Sequence, residues 1–270
     1  MEADLLIDDE FQAPRQLATG TGVAWGATRR SPGKSTPNED SAALWSLWPG
    51  NTVIALADGL GGAPSGAKAS RLAIEAISAA LDGAEAGEDL RPRILDAFEL
   101  ANRIVLDLKI GAGATLVVVE VTDGVVRAYH AGDSVAMLVG QRGRLKFETI
   151  PHSPVGYGVA SGMLGEEESM DHEDRSLISN CVGSAEMHLD VGAPVQMSMH
   201  DTLLLASDGV VDNVHRSDLV EMIRSGSLER AAEGLDGRVQ LTMAEGEGDL
   251  AGHCDDATFV LYRGNGDPCR

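Results

Sequence analysis

Val53-Ile54-Ala55-Leu56-Ala57-Asp58-Gly59 is an apolar run closed by an acid and a glycine. Leu203-Leu204-Leu205-Ala206-Ser207-Asp208-Gly209 repeats the idea much further along the chain. Each reads as a buried strand that ends in Asp-Gly. Two other stretches invert the order. Asn38-Glu39-Asp40 precedes the apolar Ser41–Leu47, and Asp255-Asp256 precedes Ala257–Tyr262. Acids therefore stand at the ends of two strands and at the starts of two others.

In an antiparallel pair, the start of one strand lies beside the end of its neighbour. The midpoint between Asp40 and Asp58 falls in the turn-like Pro49-Gly50-Asn51. A hairpin folded there brings both carboxylates to one open end. A second hairpin is expected at Thr122-Asp123-Gly124, which sets Asp133 opposite Gly113. If the remaining strands pair in the same sense, Asp40, Asp58, Asp133, Asp208 and Asp255 converge.

Working outward, short β-branched runs bounded by turn residues read as strands at Thr52–Ala57, Thr115–Val121, Val125–His130, Val135–Val139, Leu203–Ala206 and Thr258–Tyr262. Apolar residues at helical spacing predict helices over Ala67–Leu81 and Leu90–Ile110, with further helices over Arg216–Ser225 and Ser227–Ala244. The helices fall between hairpins and do not alternate with every strand. That pattern indicates an α+β domain of antiparallel sheets with helices packed outside. Residues 1–16, with five acids in the first ten positions, read as a mobile N-terminal extension. One domain is expected over 17–264, followed by a short tail at 265–270.

The chain carries 42 Asp and Glu against 21 Lys and Arg, a formal net charge of −21. Such a surface repels nucleic acid and anionic membrane, so neither is an expected partner. Cys181, Cys254 and Cys269 show neither disulfide nor zinc spacing. The acidic start lacks a signal-peptide pattern, and no apolar run approaches the ~18 residues of a membrane span. These features point to a cytoplasmic location.

A lone Asp-Gly is a common turn dipeptide. Five acids at one end of apolar strands say more. Clustered carboxylates repel one another and have raised pKa values unless a cation sits among them. Oxygen-only donors select hard ions, Mg²⁺ or Mn²⁺. The glycines after Asp58 and Asp208 allow a sharp turn and leave a carbonyl free to face the ion.

Six motifs then occur in a familiar order. They are Asn38-Glu39-Asp40, Ala57-Asp58-Gly59-Leu60-Gly61-Gly62, Gly113-Ala114-Thr115, Ala131-Gly132-Asp133-Ser134, Ser207-Asp208-Gly209-Val210 and Asp255-Asp256-Ala257-Thr258. Together they resemble the metal-dependent protein phosphatase family, type 2C, in the form of its bacterial single-domain members. The resemblance implies a four-layer α-β-β-α sandwich with two central antiparallel sheets. It implies hydrolysis of phosphoserine and phosphothreonine in protein substrates by a water held between two Mn²⁺ or Mg²⁺ ions. Asp58 would bridge both ions, with the Gly59 carbonyl on the first and Asp208 and Asp255 on the second. Glu39 and Asp40 would hold metal-bound waters, and Asp133 would serve a third, weaker ion.

The chain departs from the family's pattern in places. Leu60 stands where many members have His. Ser35 stands where the family usually has a phosphate-clamping Arg, which leaves Lys34, Arg30 and Arg29 as candidate phosphate binders. Val135 replaces the Arg of the G-D-S-R motif. The glycine-rich, acidic stretch Pro151–Asp174 falls where the family has its variable flap. A competing expectation is a catalytically weak module of the same fold that regulates or binds phosphoproteins.

Overall fold

Successive side chains of a strand point to opposite faces, and this decides the layering. The computed structural model of the protein describes residues 2–7, 13–60, 65–245 and 252–265. Val53, Ala55 and Ala57 lie against helices, while Ile54 and Leu56 point into a core between two sheets. Leu203 and Leu205 join that inter-sheet core, and Leu204 and Ala206 face a second group of helices. Both faces of both strands are covered, so neither run needs a polar alternate.

In chain order the elements are β1 (Glu2–Ile7), β2 (Arg15–Leu17), β3 (Gly22–Arg29), β4 (Ser41–Ser46), β5 (Asn51–Ala57), β6 (Gly59–Leu60), α1 (Ser65–Leu81), α2 (Arg91–Asp107), β7 (Gly113–Ala114), β8 (Leu116–Thr122), β9 (Val125–Ala131), β10 (Val135–Val139) and β11 (Leu145–Glu148). They continue with α3 (Pro154–Ala160), α4 (Glu166–Met170), β12 (Asp190–Val191), β13 (Val195–Gln196), β14 (Thr202–Ala206), α5 (Asp208–Val211), α6 (Arg216–Ile223), α7 (Leu228–Glu245) and β15 (Ala257–Gly264). The first sheet has the order β1-β4-β5-β8-β9-β12, with β13 also on β9. The second has the order β11-β10-β14-β15-β3-β2, and β6 pairs with β7. All these pairings are antiparallel.

Helices α1 and α2 cover the outer face of the first sheet through Ala69, Ala73, Ile77, Ile94, Phe98 and Val105. Helices α6 and α7 cover the second through Leu219, Ile223, Leu235 and Val239. The architecture is the expected α+β, four-layer α-β-β-α sandwich. Among the described residues no helix is long and apolar enough to cross a membrane.

Two expectations need correction. The composition of residues 1–16 suggests a mobile extension, yet β1 pairs with β4 from Glu2↔Ser46 to Ile7↔Ser41, and β2 pairs with β3. The folded unit thus reaches back beyond residue 17. Leu6 is fully buried between the sheets, and Asp4 accepts from Arg15 at 2.6 Å and 2.9 Å. An edge strand buries few of its residues, and here Glu2 and Asp4 share the face of Leu6, so that face does not read as apolar in the sequence. The second correction concerns the hairpin of β8 and β9. It turns on two residues, Asp123 at φ 50° and Gly124 at φ 75°, the left-handed pair that a type I′ turn requires. Leu116 then pairs with Ala131. Continuing that register sets Asp133 opposite Ala114 and not Gly113, because the hairpin is centred between two residues and not on one.

Candidate metal centre

The two sheets deliver their acids to one edge of the sandwich. In the first, Ser41 pairs with Ala57, so Asp40 enters beside the place where Asp58 leaves. In the second, Val135 pairs with Ala206 and Ala206 with Phe259. Asp133, Asp208 and Asp255 therefore stand just beyond the ends of three adjacent strands. The sheets are tied together at this edge. Ser207 Oγ donates to Asp40 Oδ2 at 2.8 Å and accepts from the Thr258 N–H at 3.0 Å. Thr115 holds the Asp58 backbone on both sides, donating to its carbonyl at 2.8 Å and accepting from its N–H through Oγ1 at 2.9 Å.

Burial and mutual repulsion act on these carboxylates together. Burial first, then the Asp208 and Asp40 charges, push Asp58 well above the ordinary carboxylate range. Burial and then Asp212 and Asp133 do the same to Asp208. Asp40 is pushed up to about 7, mainly by burial, against hydrogen bonds that stabilise its charge. Asp133 is pushed up to about 6 by burial and the nearby Asp212. Asp255, the most open of the set, is raised chiefly by partial burial. Three buried oxygens, Glu39 Oε1, Asp40 Oδ1 and Asp208 Oδ1, have no hydrogen-bond partner among the described residues. A buried anionic oxygen without a donor is costly. Hard divalent cations would satisfy all three, so this donor set fits them.

The glycines of the centre are steric requirements. A side chain on Gly59 would run into the Gly66 backbone, and one on Gly66 into the Glu39 carboxylate. These two glycines let the start of α1 close onto Glu39. A side chain on Gly209 would strike the Asp256 carbonyl. Gly61 and Gly62 of the same motif lie outside the described residues.

The candidate phosphate binders separate. Lys34 Nζ is 2.7 Å from Glu39 Oε2 and 2.6 Å from Asp256 Oδ2, at the rim of the acid cluster. Burial, the largest single influence, lowers its pKa, but the hydrogen bonds to Asp256 and Glu39 outweigh it and the pKa rises. Arg29 is a correction. It is the last residue of β3, and its guanidinium pairs with Asp236 of α7, with Nη2 at 2.7 Å. That carboxylate holds its fork against the helix layer. Arg30 is exposed on the adjoining loop.

Two acids of the centre escape a reading of the sequence. Asp256 is 2% exposed and accepts from the Ser31 N–H at 2.7 Å, the Glu39 N–H at 2.6 Å and Lys34. It fastens the loop that carries Lys34 and Glu39, whereas its neighbour Asp255 faces the cluster. The Asp-Asp doublet does not say which does which. Asp212 sits four residues after Asp208, one helical turn on, and is paired with Arg175 at 2.5 Å. That i, i+4 spacing is the available signal. Replacing Asp256 with Ala strands two backbone donors and takes away one of the two carboxylates that hold Lys34. We expect Asp256→Ala to cost about 3–5 kcal/mol in urea unfolding. Asp255→Ala is the comparator and should cost far less; equal losses would refute the structural role of Asp256.

A family model described as Protein phosphatase 2C matches residues 28–240. The serine/threonine phosphatase stp of Listeria monocytogenes is 28% identical over 200 residues, covering 70% of this chain and 78% of that protein. The protein phosphatase PhpP of Streptococcus pneumoniae is 29% identical over 201 residues, covering 71% and 80%. In fold, the Streptococcus agalactiae serine/threonine phosphatase is similar with a TM-score of 0.75 at 22% identity, over 97% of this chain and 99% of that one. The Mycobacterium tuberculosis phosphatase PstP/Ppp reaches a TM-score of 0.73 at 25% identity, over 89% and 97%. Since the family model spans most of the sequence, from β3 into α7, the chain belongs to the protein phosphatase 2C family.

Proposed function

We propose that the protein is a metal-dependent serine/threonine phosphatase that hydrolyses phosphoserine and phosphothreonine in protein substrates. The observation that carries this reading is the cluster of buried and half-buried carboxylates, raised in pKa and with unpartnered oxygens, at one edge of the sandwich. Asp58 and the Gly59 carbonyl would hold the first of two Mn²⁺ or Mg²⁺ ions. Asp58, Asp208 and Asp255 would hold the second, and Asp133 a third, weaker one. When bound, such ions supply Lewis acidity, making a water a better nucleophile and offsetting phosphoryl charge. Glu39 and Asp40 orient water through their unpartnered oxygens. Lys34 is a point charge at the rim, suited to hold a phosphate oxygen without the two-pronged grip of Arg.

Retention of every acid of the cluster favours an enzyme over a binding module of the same fold, as does the likeness to proteins named as phosphatases. Hydrolysis of p-nitrophenyl phosphate and a phosphothreonine peptide with Mn²⁺, with and without chelator, tests the assignment. Turnover is expected only with the metal, and its absence under all conditions would favour the binding module. For the phosphate contact, Lys34→Ala should raise KM about tenfold, the loss of one charge-assisted contact. Arg30→Ala is tested alongside. If neither KM moves, the phosphate is held elsewhere.

A further inference from the structure

Beside the acid cluster lies a second polar group. His130, His152 and Asp190 each offer a ligand-capable atom, all within 4.8 Å of one another. The His188 ring lies 4.9 Å from that of His152. The group resembles a cation site, but the hydrogen bonds of His152 point elsewhere. Its Nδ1 accepts from the Gly132 N–H at 3.1 Å and lies 2.7 Å from Asn180 Nδ2. The Asn180 amide cannot be turned around, because its Oδ1 accepts from the His188 N–H at 3.0 Å and its Nδ2 donates to the His188 carbonyl at 2.7 Å. Two donors converge on Nδ1, so the proton of the neutral ring sits on Nε2. The Asp190 carboxylate lies 3.2 Å from Nε2, out of line for a hydrogen bond, and its charge favours the proton there. A cation at Nε2 would have to displace that proton from a ring whose other nitrogen is already engaged.

What the ring does hold is Gly132. The His152 backbone N–H donates to the Gly132 carbonyl at 3.0 Å, while Nδ1 takes the Gly132 N–H. Gly132 adopts φ +121°, a conformation that favours glycine. On its other side a Cβ would fall 2.6 Å from that of Thr115. The unit just before Asp133 is thus gripped between Thr115, which also holds Asp58, and His152. Stacking on His130 at 4.3 Å restrains the ring.

We propose that His152 is a positioning residue for Asp133. Its Nδ1 lone pair and its backbone N–H fix the Gly132 turn that presents the Asp133 carboxylate to the acid cluster. This inference rests on the reading of Asp133 as ligand of the third, weaker ion, and the test separates the two. Calorimetric titration of the metal-stripped, full-length protein with Mn²⁺ reads binding without turnover. Asp133→Asn should lose the weak class of binding. His152→Gln, which removes the acceptor from the Nδ1 position, should weaken that class roughly 10- to 100-fold. His152→Asn, whose Oδ1 stands near the place of Nδ1, should stay within about threefold of the unaltered protein. Weakening in Asp133→Asn with none in His152→Gln overturns the positioning role, and so do equal losses in the Gln and Asn variants. Unchanged binding in Asp133→Asn overturns the ligand reading itself. Nitrogen NMR of the unaltered protein needs no variant to fold. It should show His152 unprotonated at Nδ1 and slow exchange of the Gly132 amide, and a proton on Nδ1 would overturn the proposal.

Discussion

Asp58→Asn should abolish metal-dependent turnover while making the metal-free protein more stable. The first effect follows from the proposed bridging role. An amide is a poor ligand for two hard cations, and losing both should lower kcat by three orders of magnitude or more, about 4 kcal/mol of barrier. The second follows from the crowding of like charges around Asp58. Asp58 is half-buried, and its carboxylate is repelled by Asp208, Asp40 and Asp133. A neutral side chain of the same shape relieves that repulsion. Urea unfolding in chelator at pH 8 should therefore give a higher midpoint for the variant than for the unaltered protein, and the order should reverse in saturating Mn²⁺. Unchanged turnover would refute the bridging role. A metal-free variant no more stable than its parent would mean that Asp58 does not suffer the repulsion described.

Removing the metal should make stability fall as pH rises. The native pKa values of Asp40 and Asp133 are raised to about 7 and about 6, from an ordinary value of 3.8, and those of Asp58 and Asp208 are also raised well above it. A raised carboxylate keeps a proton in the folded state that the unfolded chain has lost. Its contribution is complete below the unfolded pKa and disappears as pH climbs through the folded value. The slope is about −1.4 kcal/mol per pH unit for each proton so retained. Buried His130, lowered to about 4 chiefly by burial, has the opposite sign. It titrates between its folded value and the ordinary value of 6.5, which restricts the clean window to pH 6.5–8. Urea unfolding there should show a falling line in chelator and a much flatter one in Mn²⁺, since bound cations replace the protons. A flat or rising line in chelator would be incompatible with a cluster of buried, mutually repelling acids.

Much of this centre is legible in the order of the residues. Strands whose apolar runs stop at Asp-Gly or start after an acid can place their carboxylates at one edge only if they pair antiparallel. The Pro49–Asn51 turn implies that pairing for Asp40 and Asp58, and Ser41 does pair with Ala57. The displacement of Asp133 by one residue from its expected partner has a local cause. Side-chain pattern alone does not distinguish a turn centred on one residue from one centred between two, and the left-handed pair Asp123 and Gly124 chose the latter. Strand β1 is hidden because Glu2 and Asp4 share a face with Leu6, the strand's one fully sealed residue, so alternation does not pick out an apolar side.

Chain order and residue type by themselves determined the layered α+β fold and the acids that would meet, because burial on two faces demands unbroken apolar runs and antiparallel pairing brings their ends together. Only the tertiary structure decided how neighbouring groups divide the work. It set Asp256 against backbone donors and left Asp255 to the cluster, drew Arg29 to Asp236, and turned the His152 lone pair toward Gly132. Those choices depend on the direction of individual donors and acceptors across contacts between remote segments, and the linear pattern of polar and apolar residues carries no record of direction.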